Sequence, residues 1–439
     1  MGHIAVKDVY RHLGDKIDKL NVRAPWNEAL YKVLTELYTA TEADVVVKMP
    51  YGVADLARIA AVTGYPKEQL ADILAGLAEK GLVVDLYHAG EYHYFPSPLL
   101  EGFFEYTMMR TRGSLDSRNW AELFHAYWIG SDVFYKANLN DGQKMVSFRV
   151  VPHTGTVAAE DVVEILPYEK AEAIVDSHKK FAIGICACRH EAHHANFKSC
   201  DLPLETCVSF DFMAEWLISH GMAKEVKREE ILDNLERCKD LGAFFSAENS
   251  HNAKVLCCCC SCCCGIVRAI NQFGYTNALM TSNFIAEVNA QTCIGCGKCA
   301  QACPIQAIVL EPAGPAAGDR AAKRLLAKVD RSICLGCGLC SLKCHCQALY
   351  LKKRKQQVIY PATTFERNIL ACLEKGTLQY QLFDNPQSLS HTVMRGLVGG
   401  FLQLPVVKKA LMSDTLRSRF LGVLTDLVKK QGLEWVLKL

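Results

Sequence analysis

A chain of 439 residues, half of them hydrophobic, has room for roughly two to four domains with real cores. Its net charge of +2 gives no global field to attract nucleic acid or an anionic membrane surface. Residues 1–20 hold Lys7, Asp8, Arg11, Asp15, Lys16, Asp18 and Lys19 and lack the apolar core of an export signal, so a cytoplasmic protein is expected. The apolar stretch 396–407 contains a proline and falls short of the roughly 20 residues that cross a bilayer, so no transmembrane segment is expected.

The first expected unit, 1–105, is helical and ends in a small sheet. Residues 53–62 and 67–80 carry apolar side chains at helical spacing, with Leu70, Ile73, Leu74 and Leu77 on one face of the second helix and Gly81 after it. Residues 82–86 and 92–95 alternate around His88, Ala89 and Gly90 as a hairpin. This pattern resembles a winged-helix domain, which implies DNA binding and a redox-sensing transcriptional regulator as one reading. The second helix offers Lys67, Glu68, Gln69, Asp72, Glu79 and Lys80 but no arginine, whereas phosphate neutralisation and guanine readout want positive charge there. A scaffold or partner-docking role is preferred.

Residues 106–180 read as a mixed connecting segment. Phe103, Phe104, Tyr106, Trp120, Phe124, Tyr127 and Trp128 recur at near-helical intervals and read as core; a flavin or substrate pocket is the alternative, although no glycine-rich phosphate loop accompanies the stripe.

None of the 22 cysteines precedes Cys186, and all but Cys372 lie between Cys186 and Cys346. A reducing compartment does not maintain disulfides, so metal ligation is their economical use. In the third expected unit, 181–285, Cys186, Cys188, Cys200 and Cys207 precede a run of seven thiols, Cys257 to Cys260 and Cys262 to Cys264. Such a run has no packing role and would oxidise readily if free. Neighbouring side chains diverge, so these thiols grip two clusters or opposite sides of a larger one. At least one further iron-sulfur centre is expected, with nuclearity above four allowed. Beside it, His190, Glu191 and His194 formally match the zinc-protease signature, but no third ligand is identifiable. His190, His193 and His194 are instead expected to donate to sulfur, to donate protons at the cluster or to lie on the solvated surface, and Arg189 to offset an anionic cluster or to form a surface salt bridge.

Residues 286–352 contain a duplication at an offset of 41 residues. Ala286, Glu287, Val288 and Asn289 match Ala327, Lys328, Val329 and Asp330, and 307–310 match 348–351, each reading as a strand. Between them lie Cys293, Cys296, Cys299 and Cys303 in one run, and Cys334, Cys337, Cys340 and Cys344 in the other. This resembles the two-cluster bacterial ferredoxin pattern, an alternative zinc site being disfavoured by eight cysteines in this order. The resemblance implies two 4Fe-4S clusters with the fourth cysteine exchanged: Cys293, Cys296, Cys299 and Cys344 hold one, and Cys334, Cys337, Cys340 and Cys303 the other. Ile294, Ile305, Ile308, Leu335 and Leu339 would wall them off from solvent. Two departures are a Cys344-His345-Cys346 ending and a Pro/Gly/Ala-rich insertion at 311–326, expected to be a solvent-facing loop.

The segment 186–346 also resembles a family of anaerobe iron-sulfur proteins in which a Cys-x-Cys-Arg motif and a cysteine-rich knot precede a dicluster domain. In that pattern the knot's second position, here Cys258, varies. The implied upstream ligands are Cys186, Cys188, Cys200, Cys207, Cys257, Cys259, Cys260, Cys262, Cys263 and Cys264. The last unit, 353–439, reads as helical, with an apolar face beside Lys408, Lys409, Lys429 and Lys430 for packing on its own chain or a homodimer mate, or for docking on a membrane or an acidic partner. The expected whole is an α+β multidomain, low-potential electron-transfer protein serving redox partner proteins. The alternatives are an oxidoreductase reducing a small substrate at the cysteine-rich centre, and the regulator.

Overall fold

The structure is a computed structural model that describes residues 2–113, 115–138, 144–274, 282–313, 325–355 and 359–438. Helices Gly2–Ile17, Glu28–Leu37 and Ala40–Lys48 open the chain, the third started by a capping box between Thr39 and Glu42. Helices Leu56–Thr63 and Lys67–Glu79 follow, then strands Val83–His88 and Glu91–Pro96. The short strand Ala54–Asp55 pairs with Glu91–Pro96 and completes a three-stranded sheet. Asp55 accepts a 2.7 Å bond from the Arg58 amide and so starts its helix, while Gly64, at φ +77°, ends it. The aromatic stripe is core, with Phe104 edge-on to Phe124 at 5.0 Å and to Trp128 at 5.3 Å.

A six-stranded antiparallel sheet occupies the centre, in the order Phe148–Val151, Phe244–Glu248, Val255–Cys259, Glu205–Phe210, Phe181–Ile185, Ala223–Val226. Its first strand comes from the segment expected only to connect, because the valines of Phe148–Val151 complete the sheet's edge against Phe244–Glu248. Side chains alternate across strand Val255–Cys259. Cys257 and Cys259 face the core shared with the duplicated module, and Leu256 and Cys258 face a second core on the other side.

In the duplicated module, Phe284–Val288 pairs with Leu349–Lys353 and Ile308–Pro312 with Leu325–Val329, both antiparallel, so each half's outer strand is completed by the other half. Residues 314–324 of the insertion lie outside the described residues; its ends, Glu311, Pro312, Leu325 and Leu326, are strand rather than loop.

Helices Thr364–Lys375, Leu378–Leu382, Leu389–Gln403, Pro405–Leu411 and Asp414–Lys430 form the C-terminal region. It packs on the N-terminal unit. Arg58 donates to both Asp384 carboxylate oxygens at 2.8 and 2.9 Å, and Trp435 stacks on His88 of the hairpin at 4.6 Å. Among the described residues no helix is long and apolar enough to cross a membrane.

Candidate metal centres

In the duplicated module the glycines are dictated by backbone geometry. Gly295 and Gly336 stand at φ +69° and +68°, and a Cβ on them would lie 2.3 Å from the Leu325 carbonyl oxygen and 2.1 Å from that of Phe284. These turns bring Cys334, Cys337 and Cys340 around one small cavity whose wall also contains Cys303, the last cysteine of the other run. Each fourth cysteine receives a backbone amide on its sulfur, Ala307 on Cys303 at 3.2 Å and Ala348 on Cys344 at 3.3 Å. Four thiols around a cavity, with amides directed at sulfur, fit the ligation of a 4Fe-4S cube. The extra thiol, Cys346, lies 3.6 Å from the Cys344 sulfur and takes the Ile294 amide, which sets this end of the second run against the first.

The two halves differ in surroundings. Ile305, Ile308, Leu335 and Leu339 are buried, but Ile294 is 67% exposed and Cys296 is exposed too, so Ile294 does not wall off a cluster. The reason is tertiary. The equivalent turn in the second half is covered by the chain itself: Ser282 donates to the Leu335 carbonyl at 3.1 Å, His153 to that of Cys337 at 3.1 Å, and Thr156 packs against Gly338. The 334–340 run is covered throughout, whereas the 293–299 run buries Cys293 and Cys299 but exposes Ile294 and Cys296.

The upstream cysteines fall into three groups. Cys207 and Cys257 are register partners on adjacent strands and share a face of the sheet. With them stand Cys259, Cys186 at the start of helix Ala187–His194, Cys188 in its first turn, and Cys264 at the start of helix Gly265–Phe273. Cys188 stands against Cys264, and Cys259 against both Cys257 and Cys264, while Cys186 lies near Cys207 and Cys257. Burial pushes the Cys186 thiol up to about 12, so it needs a metal or a cation to become a thiolate. The second group is Cys200, Cys260, Cys262 and Cys263, all four sulfurs within 4.8 Å of one another. The third is Cys258, which turns to the opposite face and pairs with Cys238, a cysteine that the sequence reading did not single out.

Arg189 is buried between these groups. It donates to the carbonyls of Pro203 at 2.8 Å and Cys258 at 2.7 Å, and stands 4.0 Å from the Cys260 sulfur. Burial pulls its pKa down, but the charges on Cys186, Cys260 and Cys200 outweigh this and hold it up. The histidines are placed otherwise. His190 uses Nδ1 on the Met108 carbonyl at 2.6 Å and Nε2 on His194 at 2.9 Å, leaving no ring nitrogen for sulfur, and His193 is exposed. No third ligand joins His190 and His194 among the described residues.

A cavity of about 510 Å³ opens beside the Cys186 group. Phe104, Tyr106 and Trp128 of the aromatic stripe line it, where the sequence offered a pocket only as the alternative; the other walls come from the sheet and the C-terminal helices, which no local pattern brings together. Away from the sulfurs it reaches Glu101, Glu105, Glu248 and Arg367. Glu101 sits at φ +56° and pairs with Arg367, which lies 3.6 Å from Glu248. Burial pushes Glu105 up to about 8.

Residues 292–372 match the family of 4Fe-4S dicluster domains. No match was found among curated proteins or solved structures. The domain match supports an iron-sulfur electron-transfer role, and the cysteine group around Cys260 is a further set of thiols that could hold metal.

Proposed function

We propose that the chain is a low-potential electron carrier whose sulfur centres form one relay. Cys334, Cys337, Cys340 and Cys303 hold the inner cube, Cys293, Cys296, Cys299 and Cys344 the outer cube, and Cys186, Cys188, Cys207, Cys257, Cys259 and Cys264 supply the ligands of a further iron-sulfur centre. When bound, such clusters supply one-electron couples. The observation that carries the reading is continuity: Cys259 and Cys264 share one hydrophobic core with the cysteines of the duplicated module, and Asn271 of the helix started by Cys264 donates to the Pro304 carbonyl at 3.1 Å. Buried apolar side chains keep water from the inner cysteines, and the exposed Cys296 and Ile294 face a redox partner. Redox-titrated EPR of the anaerobically purified chain should give cube signals plus at least one signal from upstream; absence of any low-potential signal would refute the carrier.

The cavity favours a second reading, an oxidoreductase acting on a small substrate at the Cys186 group. Glu101, held in a left-handed backbone conformation against Arg367, is the kind of strained residue that clusters at functional sites. Ligand-induced change in the upstream EPR signal would favour this reading over a simple carrier.

The winged-helix expectation falls on helices Leu56–Thr63 and Lys67–Glu79 and the three-stranded sheet beside them. We read this unit as a docking scaffold. Its second helix exposes Lys67, Glu68, Gln69, Asp72 and Glu79, and its hairpin is partly covered by Trp435. A gel shift against the protein's own promoter DNA that switched with oxidation would favour the regulator instead.

A further inference from the structure

We infer that Cys200, Cys260, Cys262 and Cys263 form a closed site for a single tetrahedral divalent metal ion of the zinc type, separate from the upstream redox centre. The inference rests on the reading above only for the assignment of the other six thiols. Four sulfurs each about 2.3 Å from one ion stand about 3.8 Å apart at the corners of a tetrahedron. The observed separations are 3.7 Å for Cys200 and Cys260, 3.8 Å for Cys200 and Cys263, 3.8 Å for Cys260 and Cys262, and 3.4 Å for Cys262 and Cys263. A cube places an iron behind each ligand and spreads its four sulfurs wider. Among the described residues, no three cysteines of the ferredoxin-like module come within the 4.8 Å that contains this whole group.

The surroundings suit a closed structural site. Cys260 and Cys263 belong to the core that also holds Leu256 and Cys258, whereas Cys259 and Cys264 belong to the other. Four thiolates leave the bound ion with net negative charge, which Arg189, 4.0 Å from Cys260, offsets. Lys198 donates to the Cys200 carbonyl and adds positive charge. Cys200 and Cys262 are half-buried, so an ion has a path in. Cys200 lies between helix Ala187–His194 and strand Glu205–Phe210, and the other three lie just before helix Gly265–Phe273. The ion therefore ties together the connections flanking two helices whose first turns carry Cys186, Cys188 and Cys264, and holds the redox ligands in register.

The test is metal and sulfide analysis of the full chain, wild type against Cys200→Ser/Cys262→Ser, with K-edge absorption of the wild type as the measure that does not depend on the variant folding. The wild type should hold one ion beyond those matched by acid-labile sulfide, either as zinc or as iron in excess of sulfide by one. Its edge spectrum should show sulfur neighbours at about 2.3 Å and, for zinc, no metal-metal shell. The variant should lose that ion and keep its sulfide and cube EPR signals. Loss of sulfide together with iron in the variant, or a wild type with every metal matched by sulfide, would overturn the site while leaving the relay standing. Absence of sulfide from the wild type would instead overturn the relay.

Discussion

The Arg189 guanidinium lies 4.0 Å from the Cys260 sulfur, and its close oxygen partners are the carbonyls of Pro203 and Cys258 and the Thr206 hydroxyl rather than any carboxylate. A buried cation whose nearest negative charge is sulfur is matched to thiolates. Arg189→Met should destabilise the chain by about 3 kcal/mol, since two carbonyls lose a charged donor in a buried setting. It should also lower the potential of the upstream centre, because the positive charge that favours an added electron is gone. Arg189→Lys should keep more of the potential than of the stability. Thermal melts and potentiometry separate the two effects.

The exchange of fourth cysteines predicts a crossed pattern of losses. Cys303→Ser should weaken the cube of the 334–340 run, and Cys344→Ser that of the 293–299 run, each lowering iron by up to about four per chain with matching sulfide. If each substitution instead removed the cube of its own run, the assignment would be wrong. Cys346, 3.6 Å from Cys344, is placed to substitute for it, so Cys344→Ser/Cys346→Ser should lose more than Cys344→Ser alone.

The outward half predicts where partners bind. Ile294, 67% exposed beside the exposed Cys296, can be changed without opening a core. Ile294→Glu should leave iron, sulfide and melting temperature unchanged and slow electron exchange with the partner, measured by stopped-flow reduction. Leu335→Glu, at the matching but buried position, should prevent assembly of the inner cube.

The duplicated module was legible in the sequence because its ligands sit at fixed local spacings and its glycines are required by turns that a Cβ would block. Gly336→Ala, which would push a Cβ to 2.1 Å from the Phe284 oxygen at a positive φ, should cost at least about 2 kcal/mol and reduce cluster loading, as sulfide analysis would show. The upstream field was legible as a concentration of thiols but not in its grouping. Which face Cys257 and Cys258 take depends on the strand's register against Glu205–Phe210, and Cys200 reaches Cys260 only through the fold. Cys238 was missed because an isolated helical cysteine carries no spacing signal. Strand Phe148–Val151 was missed because its partner, Phe244–Glu248, is distant in sequence.

Glu105 ties stability to pH. Burial raises its folded pKa to about 8 from the ordinary carboxyl value of 4.5, so the folded state holds the proton that the unfolded chain releases. Its contribution is fully present below the unfolded value and is lost as pH rises toward 8, at up to about 1.4 kcal/mol per pH unit. Denaturant titrations between pH 5.5 and 8 should therefore show falling stability, with a shallower slope in Glu105→Gln. An identical slope would mean that Glu105 is ionised in the fold.

The relay requires that the cysteines upstream of the dicluster domain hold iron and sulfide of their own. Iron and acid-labile sulfide per chain, measured after anaerobic purification, test it most directly. The relay predicts at least about twelve irons with comparable sulfide, four or more beyond the two cubes. About eight irons and eight sulfides, the complement of the two cubes alone, would contradict it.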